Sequence, residues 1–214
     1  MPKLKLYGGA KNRGRRCYWL VKELGLDIEP VEIDLHSGQH KSPEFLKINP
    51  NGHVPVLDDD GLLLHESFAI NLHLAKKYGV AQGSPLAPRS LEEEALMTQW
   101  TFWVVNEIEH LQGVILQHRL TTAGPAATAL LPEGARDPKR ADDAWERLQK
   151  PLGVLDATLT GRDYLVGDRF TVADLNVAIV LSTFSRLGLE LTRYPNLRAW
   201  LDTCLARPAG QGYV

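Results

Sequence analysis

A proline inside an apolar run limits what this chain can fold into more than any other feature. The stretch NPNGHVPVLDDDGLLLHES, Asn49 to Ser67, holds two short apolar segments, Val54–Leu57 and Leu62–His65, joined by DDDG. That pattern reads as a β-hairpin. Pro55 lies within the first segment, where it has no N–H to give to a strand ladder. Two arrangements accommodate it. If the bond before Pro55 is cis, the backbone of Val54 turns outward. Its N–H and C=O are then free to pair with an extended, peptide-like ligand, as an added strand would. Alternatively, Pro55 is trans and the segment is an edge strand.

The residues before the hairpin alternate strand and helix signals. Lys3–Tyr7 (KLKLY) alternates polar and apolar. A helix follows, with Cys17, Leu20, Val21 and Leu24 at i, i+3, i+4 and i+7, and stops near Gly25. Ile28–Leu35 is β-like, and Pro30 suggests an edge. Ser42–Ile48 predicts a short helix opened by Ser-Pro. A further helix is expected from about Ser67 to Tyr78. The order predicts a small mixed sheet with helices packed on it, over residues 1–79. Residues 80–90, rich in Gly, Pro and Ser, read as a linker.

Residues 91–214 show a different grammar, with no convincing strand. Leu91 to about His118 reads as helix, with Glu92, Glu93 and Glu94 where the dipole favours negative charge. Thr121–Ala135 reads as a loop or broken helix. Helices are expected over Pro138–Leu159 and Pro195–Leu205. Between them Thr171 and Asp174 form a variant capping box. The fold class is therefore α/β followed by an all-α domain.

At 214 residues the chain suits two small domains. Its net charge of −2 argues against a nucleic-acid partner, and no apolar run approaches transmembrane length. Two cysteines, Cys17 and Cys204, are too few for a disulfide scaffold, which points to a reduced, cytoplasmic setting.

Three clusters stand out as candidate chemistry. Glu66 and Ser67 open a helix, where free N–H groups and a hydroxyl suit a carboxylate and Glu66 suits an ammonium. Such a pair fits a zwitterionic amino-acid end, although Ser67 also reads as a plain N-cap. His40, Lys41 and His53 lie in loops and offer a second anion contact. Gly38 between His36 and His40 argues for a loop rather than a metal-binding helix, so no metal is expected. Finally, Lys11, Arg13, Arg15 and Arg16 crowd a helix start whose dipole prefers anions.

The element order, the segment GQHKSPEFLKINPNGHVPVLDDDGLLLHES and the helix start FTVADL resemble the cytosolic glutathione S-transferases. The resemblance spans nearly the whole chain and implies a thioredoxin-like N-terminal domain followed by an all-helical C-terminal domain. It implies that Val54, before a cis Pro55, binds the cysteinyl backbone of glutathione. It also implies that Glu66 and Ser67 hold the γ-glutamyl end and that His40, Lys41 and His53 meet the glycyl carboxylate. A homodimer is implied by the resemblance alone. So is a reaction in which glutathione, a co-substrate rather than a cofactor, is conjugated to a small electrophile. Related readings are a glutathione-dependent peroxidase or isomerase, or a non-catalytic binding protein of the same fold.

The family usually activates the thiol with a Ser, Tyr or Cys at the start of the first helix. Here the matching position is Asn12, followed by Arg13. A free thiol titrates near ~8.5, and lowering it to about 6.5 takes roughly 2.7 kcal/mol. A hydrogen bond to a charged group contributes about 1.5–3 kcal/mol, and the helix dipole about 0.3–1. Asn12 and Arg13 are thus the expected sulfur contacts. Lys11 is placed next, and Tyr7 is a possible hydroxyl donor. Cys17, on the apolar face, reads as packing. The electrophile site is expected at Trp103, Asn106 and His110, which share a helix face by i, i+3, i+7 spacing.

Overall fold

The computed structural model describes residues 4–119 and 131–213. They divide into two compact units, Met1–Ser84 with Tyr213, and Pro85–Gly212.

The first unit is built on a four-stranded sheet of order β2-β1-β3-β4. The strands are β1 (Leu4–Tyr7), β2 (Glu29–Val31), β3 (Val56–Asp59) and β4 (Leu62–His65). β2 runs parallel to β1, and β3 antiparallel to both β1 and β4. The β2 run is shorter than its sequence suggests, and Pro30 does lie on an edge strand. Helix α1 (Gly14–Glu23) and helix α3 (Ser67–Leu74) pack together. Leu4, Leu6, Cys17, Leu20, Leu57, Ile70 and Leu74 are all buried. A smaller cluster of Ile33, Phe45 and Val56, with Tyr7 and Val54 against it, anchors the short helix α2 (Pro43–Leu46). The β3–β4 turn has Asp60 and Gly61 at φ 55 and 92, with Gly61 N–H donating to Asp58 at 2.8 Å. Two left-handed residues match the twist of a two-residue hairpin.

α3 does not stop at Tyr78. It continues through a π turn, Ala75–Gly79, into α4 (Val80–Gln82), entering the stretch read as linker. The stop is Gly83, left-handed at φ 64, because Gly79 itself takes helical angles. Asp59 ties this region to the sheet, accepting from His73 (2.6 Å), Lys77 (2.8 Å) and Tyr78 (2.6 Å). Burial raises its carboxyl, but these hydrogen bonds outweigh that and hold it below the usual carboxylate range.

In the second unit no strand occurs among the described residues. α5 (Leu91–Val104) runs through a π turn, Val105–Glu109, into α6 (His110–Arg119). α7 (Pro138–Thr158), α8 (Val172–Leu181) and α9 (Pro195–Leu205) follow. Most of the stretch read as a loop, Thr121–Ala135, lies outside the described residues. Every residue of α8 is buried, including Asp174 and Asn176, whose polar groups are hydrogen-bonded. Its capping box is complete: Thr171 N–H donates to Asp174 at 2.9 Å. Asp174 also accepts from Leu165 N–H and Trp200 Nε1, so one carboxylate joins α8, α9 and the loop before them. Burial nonetheless pushes its carboxyl up.

Arg169 clamps the entry to α5. It donates to both carboxylate oxygens of Glu93, at 2.9 and 2.6 Å, and to the carbonyls of Pro85 and Ala87. The hydrogen bond from Arg169 holds the Glu93 carboxyl down at about 2. A depressed carboxyl stabilises the fold above its unfolded value of 4.5 and loses that contribution as pH falls through about 2. Glu93→Gln is therefore expected to cost about 3 kcal/mol at neutral pH by removing the close carboxylate partner of the buried Arg169. Thermal melts should show the variant and parent converging between pH 4.5 and 2. A gap that stays constant over that range would contradict the assignment.

Candidate functional site

The site in the first unit is organised around a backbone approach that only glycine permits. β1 ends at Tyr7, and Gly8 turns at φ 110 with its N–H donating to Val31 O at 2.9 Å. A Cβ on Gly8 would lie 2.9 Å from Val54 Cβ. The end of β1 is thereby pressed against Val54. The Val54–Pro55 bond is cis. β3 starts only at Val56 and lies between β1 and β4, so the edge-strand reading of Pro55 does not hold. The proline sits just ahead of the ladder, where its missing N–H removes no strand pair.

Two loops close beside Val54. Asn49, buried, donates through Nδ2 to His53 O at 2.7 Å and accepts from Asn51 N–H at 3.1 Å. Gly52, left-handed at φ 58, packs so closely that a Cβ there would be 2.8 Å from His40 O. Lys41 Nζ donates to Asn51 O at 3.1 Å. His40, Lys41 and His53 are brought to one side of the unit by these contacts. His40 is half-buried, and its Nδ1 is buried without a hydrogen-bond partner among the described residues.

Glu66 follows β4 with φ 72 and ψ 110, an unusual backbone for a non-glycine residue. Such conformations cost roughly 1–3 kcal/mol and gather at ligand clamps. Glu66, not Ser67, takes the cap position, and no side chain caps the helix. The N-cap reading of Ser67 is corrected: it is the first helical residue and 5% exposed. Its Oγ accepts from Arg16 Nη1 at 3.3 Å. A hydroxyl whose oxygen accepts from a guanidinium has its hydrogen left to donate to an anion. In the sequence Arg16 is only one of the four basic residues crowding the start of the first helix. Its partnership with Ser67 was missed, although its place four residues before Leu20 sets it on the buried side of α1. Its guanidinium also covers the Phe68 ring at 4.6 Å.

The start of α1 is capped by Asn12, whose Oδ1 accepts from Gly14 N–H at 2.7 Å. Arg15 N–H donates to Asn12 O and Arg16 N–H to Arg13 O. These first-turn amides are thus locally engaged, and the helix contributes its field there rather than those donors. Asn12 is half-buried, and Lys11 and Arg13 beside it are exposed. Burial pushes the Cys17 thiol up to about 12, which suits a packing role. Tyr7 belongs to the small core with Ile33, Phe45 and Val56.

In the second unit Trp103 is half-buried and meets Trp100 edge-on at 5.2 Å, while Asn106 and His110 are exposed. The π turn at Val105–Glu109 adds a residue to the helical ring. The single face assumed from i, i+3, i+7 spacing is therefore shifted between Trp103 and His110.

Comparison with known proteins gives two family matches. Residues 2–76 match the glutathione S-transferase N-terminal domain, and residues 112–208 match its C-terminal domain. Glutathione S-transferase 3 of Zea mays is 36% identical over 223 residues, covering 100% of this chain and 94% of that protein. Glutathione S-transferase 1 of the same plant is 35% identical, covering 99% and 95%. Among solved structures, the theta class glutathione S-transferase of Xanthomonas axonopodis pv. citri, with glutathione bound, superposes with a TM-score of 0.83. It is 29% identical and covers 99% of this chain and 96% of its own.

Gly8→Ala tests the close approach. With φ 110 and a 2.9 Å contact, the variant is expected to lose about 1–3 kcal/mol of stability and most retention on immobilised glutathione. Parent-like melting and retention would show that the approach to Val54 is not needed.

Proposed function

The chain belongs to the glutathione S-transferase family and is a glutathione transferase, and we propose that its first unit binds and ionises the tripeptide. Val54, beside cis Pro55, pairs with the cysteinyl backbone as an added strand would. Glu66 accepts from the γ-glutamyl ammonium, and Ser67 donates to the neighbouring carboxylate, its oxygen held by Arg16. His40, Lys41 and His53 meet the glycyl carboxylate. The observation that carries this reading is the contact of Gly8 with Val54, which brings the peptide-pairing backbone next to the start of α1.

The sulfur sits at Asn12 and Arg13, with Lys11 adding to the local potential. The thiol gives its proton to water. Asn12 Nδ2 donates to the thiolate, and the Arg13 charge and the helix field lower its energy further. The thiolate then forms a C–S bond to an electrophilic carbon, and the electron pair leaves with the displaced group or, in an addition, moves onto the electrophile. No cofactor is required, since glutathione is itself the co-substrate. The electrophile, a hydrophobic one, is met by Trp103, Asn106 and His110. Detoxification of such compounds in the cytoplasm fits this chemistry.

A homodimer is part of the same proposal. Leu62 and Leu63 on β4 are 48% and 41% exposed, and Leu91 and Phe102 on α5 are 77% and 61% exposed. A second copy is the partner that apolar surface of this kind suits. No described helix is long and apolar enough to cross a membrane.

Asn12→Ala and Arg13→Ala separate binding from activation. Each is expected to keep retention on immobilised glutathione. Turnover of a generic chloronitrobenzene at neutral pH should fall about 10- to 100-fold, the rate equivalent of one lost charge-assisted hydrogen bond. Full activity in both variants would remove the sulfur assignment.

A further inference from the structure

We propose that Tyr213 is a positioning residue for the sulfur site, docked on the outer stripe of α1. This rests on the sulfur assignment at Asn12 and Arg13. Tyr213 lies nearly two hundred residues along the chain from α1, yet it groups with the first unit. Three residues of α1 receive it. Arg15 Nη1 donates to Tyr213 O at 2.9 Å. The Tyr18 ring stacks on the Tyr213 ring, with centroids 6.1 Å apart and planes 12° from parallel. Lys22 Nζ lies 5.3 Å from the Tyr213 ring centroid. Arg15, Tyr18 and Lys22 are spaced i, i+3 and i+7, so one ring and one carbonyl hold a stripe two turns long.

The link to the sulfur runs through Arg15. Its backbone N–H donates to Asn12 O at 3.1 Å while its guanidinium donates to Tyr213 O. Asn12 is therefore two hydrogen bonds from Tyr213. Arg13, at the cap position, makes no side-chain capping bond, so capping of the first turn falls to Asn12, whose carbonyl is in turn held by Arg15. The Tyr18 hydroxyl is buried without a hydrogen-bond partner among the described residues. Its ring is thus retained by the stack rather than by its polar end. Burial is the main reason its phenol is pushed up to about 12.

The ring face and the main-chain carbonyl make these contacts; the Tyr213 hydroxyl makes none of them. Phenylalanine should replace Tyr213 and alanine should not. The test measures kcat and KM for both substrates against pH in the full chain. In Tyr213→Ala the acidic limb of kcat/KM for glutathione should move up by about 0.5–1 pH unit, with a three- to tenfold loss at pH 6.5. KM for the electrophile should stay within twofold. Tyr213→Phe should overlay the parent. Should the alanine variant fail to fold, Tyr213→Leu, which keeps bulk but no aromatic face, is read by the same profile. An unmoved limb in the alanine or leucine variant overturns the proposal, and so does a Phe variant displaced as far as Ala. A parent profile with no limb below the free-thiol range would instead remove the sulfur assignment itself.

Discussion

The candidate site depends on one close approach, Gly8 against Val54. A side chain at position 8 would need space that Val54 Cβ already fills, at 2.9 Å. The approach places the exit of β1, and hence the start of α1, beside the backbone that precedes β3. The Val54 backbone proposed to pair with the peptide and the charged helix start are then neighbours within one unit. Asn49 and Gly52 extend this arrangement by fixing the loop that carries His53 into Val54.

The four cations of the first helix divide into two pairs. Arg16 turns inward to Ser67 and Phe68, and Arg15 is engaged by Tyr213. Lys11 and Arg13 stay exposed beside Asn12. Burying Arg16 costs desolvation, which is tolerable because its head group meets a hydroxyl and an aromatic face. In the proposed site this leaves the Ser67 hydroxyl hydrogen to donate to the γ-glutamyl carboxylate. The unusual backbone at Glu66 adds a second constraint at the same corner, so the proposed γ-glutamyl contacts are set by the fold itself.

Much of this was legible in the sequence because it follows from local rules. Pro55 inside an apolar run announced a special backbone, and Thr171 with Asp174 announced the start of α8, which the structure shows as a complete capping box. The element order and the mixed sheet of the first unit followed from the hairpin and the α1 periodicity, whereas the strand order β2-β1-β3-β4 is visible only in the structure. Other features depend on distant partners and had no local signature. The role of Arg16 is decided by Ser67, fifty-one residues away. The continuation of α3 to Gln82 reflects Gly79 adopting helical angles, with the break deferred to Gly83. The π turn between α5 and α6 shifts the face on which Trp103 and His110 were aligned, and spacing alone does not reveal it.

The central proposal is that the start of α1 stabilises a glutathione thiolate without a Ser, Tyr or Cys hydroxyl or thiol to activate it. Ultraviolet difference titration of the bound tripeptide reads this directly. The expected sulfur midpoint is about 6.5, some two units below the ~8.5 of a free thiol. A bound midpoint equal to that of glutathione in solution would contradict the account.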